Sequence, residues 1–156
     1  MVNRRKLNRL SFAAMAGLAI VAMTTIAGCG MMGQSSSLVA MTTQLRGANE
    51  VPPNASPASG SVDAMFDKDT NLLRWKVNYA GLSGAPTAGH FHGPAAAGTN
   101  AGVVLGWLNP LSNGMQGSAT LSAAQANDLM AGRWYANVHT AAYPAGEVRG
   151  QMTVRN

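Results

Sequence analysis

The sequence predicts an all-β domain, an antiparallel β-sandwich or barrel with one short crossover helix. Three observations carry this. Apolar and polar residues alternate with period two in several separate runs, the pattern of strands with one face in a core. Gly, Pro, Asn and Asp gather between those runs, where a β-protein needs turns. Only Ser122–Gly132 carries helix signals at both ends.

Taken in order, Leu38–Arg46 is the first strand, ended by the turn-prone Gly47–Asn49. Val51–Pro57 is a loop, because its three prolines cannot donate to a ladder. In Ser61–Asp67, Val62, Ala64 and Phe66 point one way and Ser61, Asp63 and Asp67 the other. Asp67–Asn71 makes a hairpin connection to a third strand, where Leu73, Trp75, Val77 and Tyr79 oppose Arg74, Lys76 and Asn78. After the Gly81–Pro86 loop comes a short strand carrying His90 and His92, then a Gly- and Ala-rich connection from Gly93 to Asn100. Val103–Leu108 reads as a buried strand, Asn109–Gly114 as a turn and Gly117–Leu121 as a short strand. Ser122 is placed as a helix N-cap with Gln125 completing a capping box, and Gly132 stops the helix. Arg133–Thr140 is a strand with Trp134, Ala136 and Val138 on one face, and Ala141–Gly146 turns the chain. Val148, Gly150, Met152 and Val154 line one face of a final strand, opposite Glu147, Arg149, Gln151 and Thr153.

The charge of the chain belongs to its N-terminus. The formal net charge is +5, but Arg4, Arg5, Lys6 and Arg9 all precede the first apolar run. From Cys29 onward seven Lys/Arg face six Asp/Glu, which leaves no basic footprint for nucleic acid. The basic residues and the uncharged run Phe12–Gly28 have the form of a cleaved export signal, shorter than a membrane-spanning helix. Ile26-Ala27-Gly28-Cys29 resembles a bacterial lipobox, and Cys29 is the only cysteine, so no intrachain disulfide can form. The expected division is a lipoprotein signal peptide at 1–28, a lipidated Cys29 with a flexible tether at 29–37, and a folded domain at 38–156. The expected location is the bacterial cell envelope, anchored to a membrane by lipid and facing the periplasm or exterior. The outer membrane is favoured because Gly30, rather than Asp, follows the cysteine.

The chemistry concentrates in three histidines. His90 and His92 flank Phe91, and His139 sits in Tyr135-Ala-Asn-Val-His-Thr140. If Phe91 and Val138 face the core, strand parity turns all three imidazoles to the opposite face. Should the two strands be neighbours, the rings converge into a three-nitrogen site of a kind that suits copper or zinc and leaves a coordination position open. The alternative from the same residues is structural: the histidines hydrogen-bond the backbone of the 93–100 and 141–146 connections and hold them in place. Tyr135, Asn137, Glu147 and Arg149 are the candidates for supporting groups. No Ser/His/Asp, Cys/His or paired-carboxylate arrangement for hydrolysis stands out.

Three segments carry a family resemblance. Tyr135–Gln151, with Tyr-Ala-Asn-Val-His-Thr and then Pro-Ala-Gly-Glu-Val-Arg-Gly, closely resembles the closing motif of the CHRD domain, first named from chordin. Gly89-His-Phe-His-Gly-Pro94 is similar to the family's His-Ile-His-Gly-Pro segment, and Leu45–Pro53 to its opening Gly-x-x-Glu-x-Pro-Pro. Phe91 replaces an aliphatic residue, and Ala145 stands where glycine is common. The resemblance implies a Greek-key β-sandwich, immunoglobulin-like or Cu/Zn superoxide dismutase-like. It also implies kinship with chordin, a secreted antagonist that binds bone morphogenetic proteins, and with many exported bacterial proteins. The His-x-His and distant Val-His pair is similar to the copper ligands of Cu/Zn superoxide dismutase, but this chain has no fourth histidine, no disulfide and no clear counterpart of the zinc-binding aspartate. The expectation is therefore a membrane-anchored binding module rather than an enzyme, with a metal site of copper type, zinc second, at His90, His92 and His139. An envelope or matrix interaction module with a protein partner is the alternative, and a dismutase-like redox enzyme stands third.

Overall fold

The computed structural model describes residues 36–108 and 111–155. The export signal, Cys29 and most of the tether lie outside the described residues, as do the first two positions of the 109–114 turn. Nine strands and one helix make up the rest: β1 (Leu38–Arg46), β2 (Ser59–Asp67), β3 (Leu72–Ala80), β4 (Pro86–His92), β5 (Val103–Gly106), β6 (Gln116–Thr120), α1 (Ala123–Met130), β7 (Tyr135–Thr140), β8 (Val148–Gln151) and β9 (Thr153–Val154). Every pairing is antiparallel, and the hydrogen-bonded order is β5-β4-β7-β8-β1-β2-β3-β6, with β9 on β1.

The order divides into two halves, β5-β4-β7-β8 and β1-β2-β3-β6, which curl toward each other and enclose one core. They join weakly, through one register pair between β1 and β8 (Arg46 with Arg149) and through β9. The links from β3 to β4, from β5 to β6, and from β6 through α1 to β7 all pass from one half to the other. These crossings give the Greek-key character and make α1 the expected crossover. Its capping box forms in both directions: Gln125 N–H donates to Ser122 Oγ at 3.2 Å and Ser122 N–H to Gln125 Oε1 at 2.9 Å. Ala126 and Leu129 are the helix positions that reach the core.

Alternation holds where the strands are long. Val62, Ala64 and Phe66 of β2 and Leu73, Trp75 and Val77 of β3 are buried while their neighbours reach solvent. Phe91 of β4 is the centre of the aromatic core, with no exposed surface, and all three tryptophans surround it. Its ring centre lies 5.4 Å from that of Trp75, 5.3 Å from Trp107 and 5.9 Å from Trp134. Gly89 makes this packing possible, since a methyl group there would overlap the Trp107 indole.

Three expectations need correcting. Val103–Leu108 is not a buried strand: β5 is a sheet edge, with Val103 and Leu108 exposed, Val104 and Leu105 half-buried against the core and only Trp107 buried. A short apolar run has no period that separates an edge strand from a central one. The final strand is broken at Met152, whose N–H donates to Trp134 O at 2.9 Å, and β9 moves to β1, where Val154 stands opposite Met41 and is exposed. Third, the face of β7 opposite the core is not a solvent face. Tyr135 and Asn137 are buried there, beneath loops.

The loop after β1 begins with a 3-10 turn, Gly47–Asn49, and buries Glu50 against Gly146, whose backbone φ of 134° and lack of a side chain leave room for the carboxyl. Burial pushes the Glu50 carboxyl up to about 7, against the opposing pull of the Arg149 charge and the Val51 N–H. The folded protein therefore holds this proton over a window, from about 4.5 to about 7, in which the unfolded chain has lost it, and stability falls as pH rises through it. Glu50→Gln should remove that penalty. Its urea midpoint, compared with the parent's, should gain with pH between 4.5 and 8, by up to roughly 3 kcal/mol. A difference that does not vary with pH would show that Glu50 is ionised in the folded state throughout.

Candidate metal centre

β4 and β7 are neighbours, and their register sets the site. His90 lies opposite Asn137, His92 opposite Tyr135 and Ala88 opposite His139. All six residues share one face, so His139 is the diagonal neighbour of His90, within reach of a long side chain. The predicted convergence occurs. His90 Nδ1 and His139 Nε2 are 3.2 Å apart, and one ring nitrogen from each of the three histidines lies within 4.8 Å of the others. No Cys, Asp or Glu among the described residues belongs to this cluster.

Backbone carbonyls set the tautomers. His92 Nδ1 is 3.0 Å from Ala101 O, and His139 Nδ1 is 3.0 Å from Pro144 O. A carbonyl only accepts, so both Nδ1 atoms carry the proton and both Nε2 atoms present a lone pair. His92 Nε2 is buried and has no hydrogen-bond partner. His139 Nε2 accepts from His90 Nδ1–H, and Asn137 Oδ1 lies 3.0 Å from it; a lone pair on that nitrogen goes with the amide turned to present its NH2 instead. Moving the His90 proton to its other nitrogen frees a third lone pair without changing charge.

Electrostatics favour the neutral form of His90 and His92. Burial is the largest cause holding His90 below the ordinary imidazole range, followed by repulsion from His139 and His92. Burial likewise lowers His92; the hydrogen bond to the Ala101 carbonyl opposes it, and the charges of His139 and Arg149 add to it. Neutral imidazole is the form that binds a transition metal.

Two loops roof the site. Tyr135 OH donates to Ala101 O at 3.2 Å and accepts from Ala101 N–H at 3.1 Å. The Tyr135 ring stacks on His92 at 4.8 Å, with 2° between planes. Arg149 covers the other face of the tyrosine, its guanidinium carbon 3.4 Å from the ring centre, and donates to Asn100 Oδ1 at 2.7 Å and Thr99 O at 2.6 Å. These contacts hold the loop that delivers the Ala101 carbonyl to His92. Glu147 is fully buried, and its partners lie elsewhere: Ser56 Oγ, the N–H and Oγ of Ser83, and Thr140 Oγ1, at 2.6–2.8 Å. Burial would raise its carboxyl, but those hydrogen bonds prevail and hold it below the usual range. It braces the loop that Pro144 ends rather than touching a histidine. Sequence reasoning named the 141–146 backbone as a histidine partner without singling out Pro144, and it missed Ala101, one residue beyond the 93–100 connection, and Ser83. The first two act through backbone carbonyls, which leave no residue-type signal, and Ser83 is an unremarkable loop serine.

The chemistry of the donor set fits a metal ion. Two nitrogens bound to one ion at about 2.0–2.1 Å with tetrahedral angles stand about 3.3 Å apart, close to the separation of His90 Nδ1 and His139 Nε2. The buried, unpartnered His92 Nε2 completes a three-nitrogen set of the kind used by copper and zinc.

Fold and site together define an all-β, sandwich-type domain with a histidine cluster on the loop-covered face of one half. The chain belongs to the CHRD family: the CHRD-domain profile matches residues 41–152. No curated protein and no solved structure matches the chain.

The depressed histidines make the metal-free protein sensitive to acid. Because folding lowers these pKa values, their contribution is present above about 6.5 and is lost as pH falls through the folded values. In an NMR titration of metal-free protein the ring protons of His90 and His92 should titrate below 6.5, alongside a loss of stability. Titration at or above 6.5 would refute the neutral, buried cluster.

Proposed function

We propose that this chain is an exported, lipid-anchored cell-envelope protein whose CHRD domain binds one transition-metal ion, copper in preference to zinc, through His90, His92 and His139. The observation that carries the reading is the pairing of His90 Nδ1 with His139 Nε2 at 3.2 Å beside the unpartnered, buried His92 Nε2. When bound, the ion would be held by three neutral imidazoles and keep one position open to an external ligand. The residues of the chain orient the donors: Ala101 and Pro144 fix two tautomers, and Tyr135 and Arg149 hold the loop over His92. Binding is the activity this supports. The sequence Ile26-Ala27-Gly28-Cys29 supports attachment, since two or more acyl chains at about 0.8 kcal/mol per buried CH2 hold a protein stably on a membrane.

A second reading, histidines that only brace loops in a protein-interaction module, is favoured by the bonds of His92 to Ala101 and His139 to Pro144. The two readings part on mutation. Copper should bind the parent protein one to one and raise its thermal midpoint, more weakly as acid protonates the rings. His90→Ala, whose ring makes no bond to a loop carbonyl, should lose at least roughly tenfold in affinity, as loss of one ligand requires, while the metal-free stability changes little. Equal copper binding by parent and variant, or none by either, would leave only the bracing role. The anchor is tested in the producing cell with a clickable fatty-acid label: the full chain should take it up and Cys29→Ser should not. Labelling of both, or of neither, would exclude Cys29 as the lipidation site.

A further inference from the structure

Arg149 is 2% exposed, and its guanidinium is given to neutral acceptors, Asn100 Oδ1 and Thr99 O. Two ion pairs form among the described residues, Arg133–Asp128 and Arg155–Asp63, and Arg149 is in neither. Glu50, the carboxyl on which its charge acts, makes no ion pair with it, and burial pushes that carboxyl up to about 7, so it is only partly ionised near neutrality. A buried charge without an ionised partner is costly to a fold. This one sits on Tyr135, which sits in turn on His92. The two stacking distances place the guanidinium carbon no more than about 8 Å from the His92 ring centre, within a Debye length even for exposed charges. The cluster itself contributes no negative charge, being three imidazoles.

From this we propose that the Arg149 guanidinium makes the histidine site selective for a monovalent, cuprous ion over divalent copper or zinc. The inference rests on the three-histidine reading above and deepens it. Repulsion grows with the charge of the ion, so each added unit of charge meets the field of Arg149, and the donors themselves add no negative charge; Glu147, the buried carboxylate beside Thr140, is common to every variant compared and leaves the Arg149 difference unchanged. At an effective dielectric constant of about 20 and a separation of about 8 Å, the discrimination is on the order of tenfold or more for one unit of charge. Tenfold between the two copper states is about 60 mV of reduction potential.

The test is the Cu(II)/Cu(I) potential of the copper-loaded full domain, with affinities for Cu(I) and Zn(II) measured by chelator competition. Arg149→Gln, which keeps a donor but removes the charge, should lower the potential by about 60 mV or more and raise Zn(II) affinity relative to Cu(I) about tenfold. Arg149→Lys should leave both near the parent values. Asn100→Asp, at an exposed position, sets a carboxylate against the guanidinium without truncating it and should shift both in the direction of Arg149→Gln. This variant keeps the question open to measurement if Arg149→Gln fails to fold. Equal shifts from Gln and Lys, or no shift from Asn100→Asp, would overturn the charge argument while leaving the metal site intact. Failure of the parent to bind either metal would instead remove the three-histidine reading and this inference with it.

Discussion

The register between β4 and β7 is the constraint on which the rest of the molecule depends. Phe91 enters the core among three tryptophans, and because side chains alternate along a strand, its two neighbours must leave it. Pairing His90 with Asn137 puts Val138 and Ala136 on the core face and His139 on the other. A slip of one residue would send His139 into the core and Val138 to the site. Core packing and assembly of the histidine cluster are therefore one decision, and the burial of Phe91 enforces it.

Positioning needs more than parity. A histidine on a strand still rotates about two bonds, and here the roofing loops remove that freedom. Ala101 and Pro144 each accept from an Nδ1–H and so aim an Nε2 inward. The loops are themselves held from below by buried polar groups of β8. Arg149 grips the backbone of Thr99, and Glu147 gathers four hydrogen bonds from three segments. Burial makes this network demanding, since each Glu147 oxygen accepts two bonds and a lost one would leave a buried charge under-bonded. The bracing and the metal-binding roles of the histidines are consequently compatible: the atom that holds the loop is Nδ1 of His92 and His139, and the atom left for an ion is Nε2.

Much of this was legible in the residues. Strict alternation over nine-residue strands identified β2 and β3, and a capping box with a terminal glycine located α1. Parity placed all three histidines off the core face, and the Tyr135–Gln151 motif pointed to the family that the profile match establishes. What failed was whatever depends on tertiary neighbours. Val103–Leu108 is apolar enough for a central strand but lies at a sheet edge, and the run to Val154 reads as continuous although the chain changes partner after Met152, from the β7 side, where its N–H donates to Trp134 O, to β1. That the face bearing Tyr135 and Asn137 is buried follows from where two loops fold back, and Gly- and Ala-rich loops carry little pattern to announce it.

Three imidazoles under a loop roof, with an arginine as a nearby charge, bring one nitrogen each to within 4.8 Å of the others, and two of the three rings are oriented by loop carbonyls. Anomalous diffraction from crystals of the copper-loaded protein addresses this most directly. The expected result is one copper peak at about 2.0–2.1 Å from His90 Nδ1, His92 Nε2 and His139 Nε2. A peak on other side chains, or a His90–His139 hydrogen bond that persists unchanged with copper bound elsewhere, would contradict it.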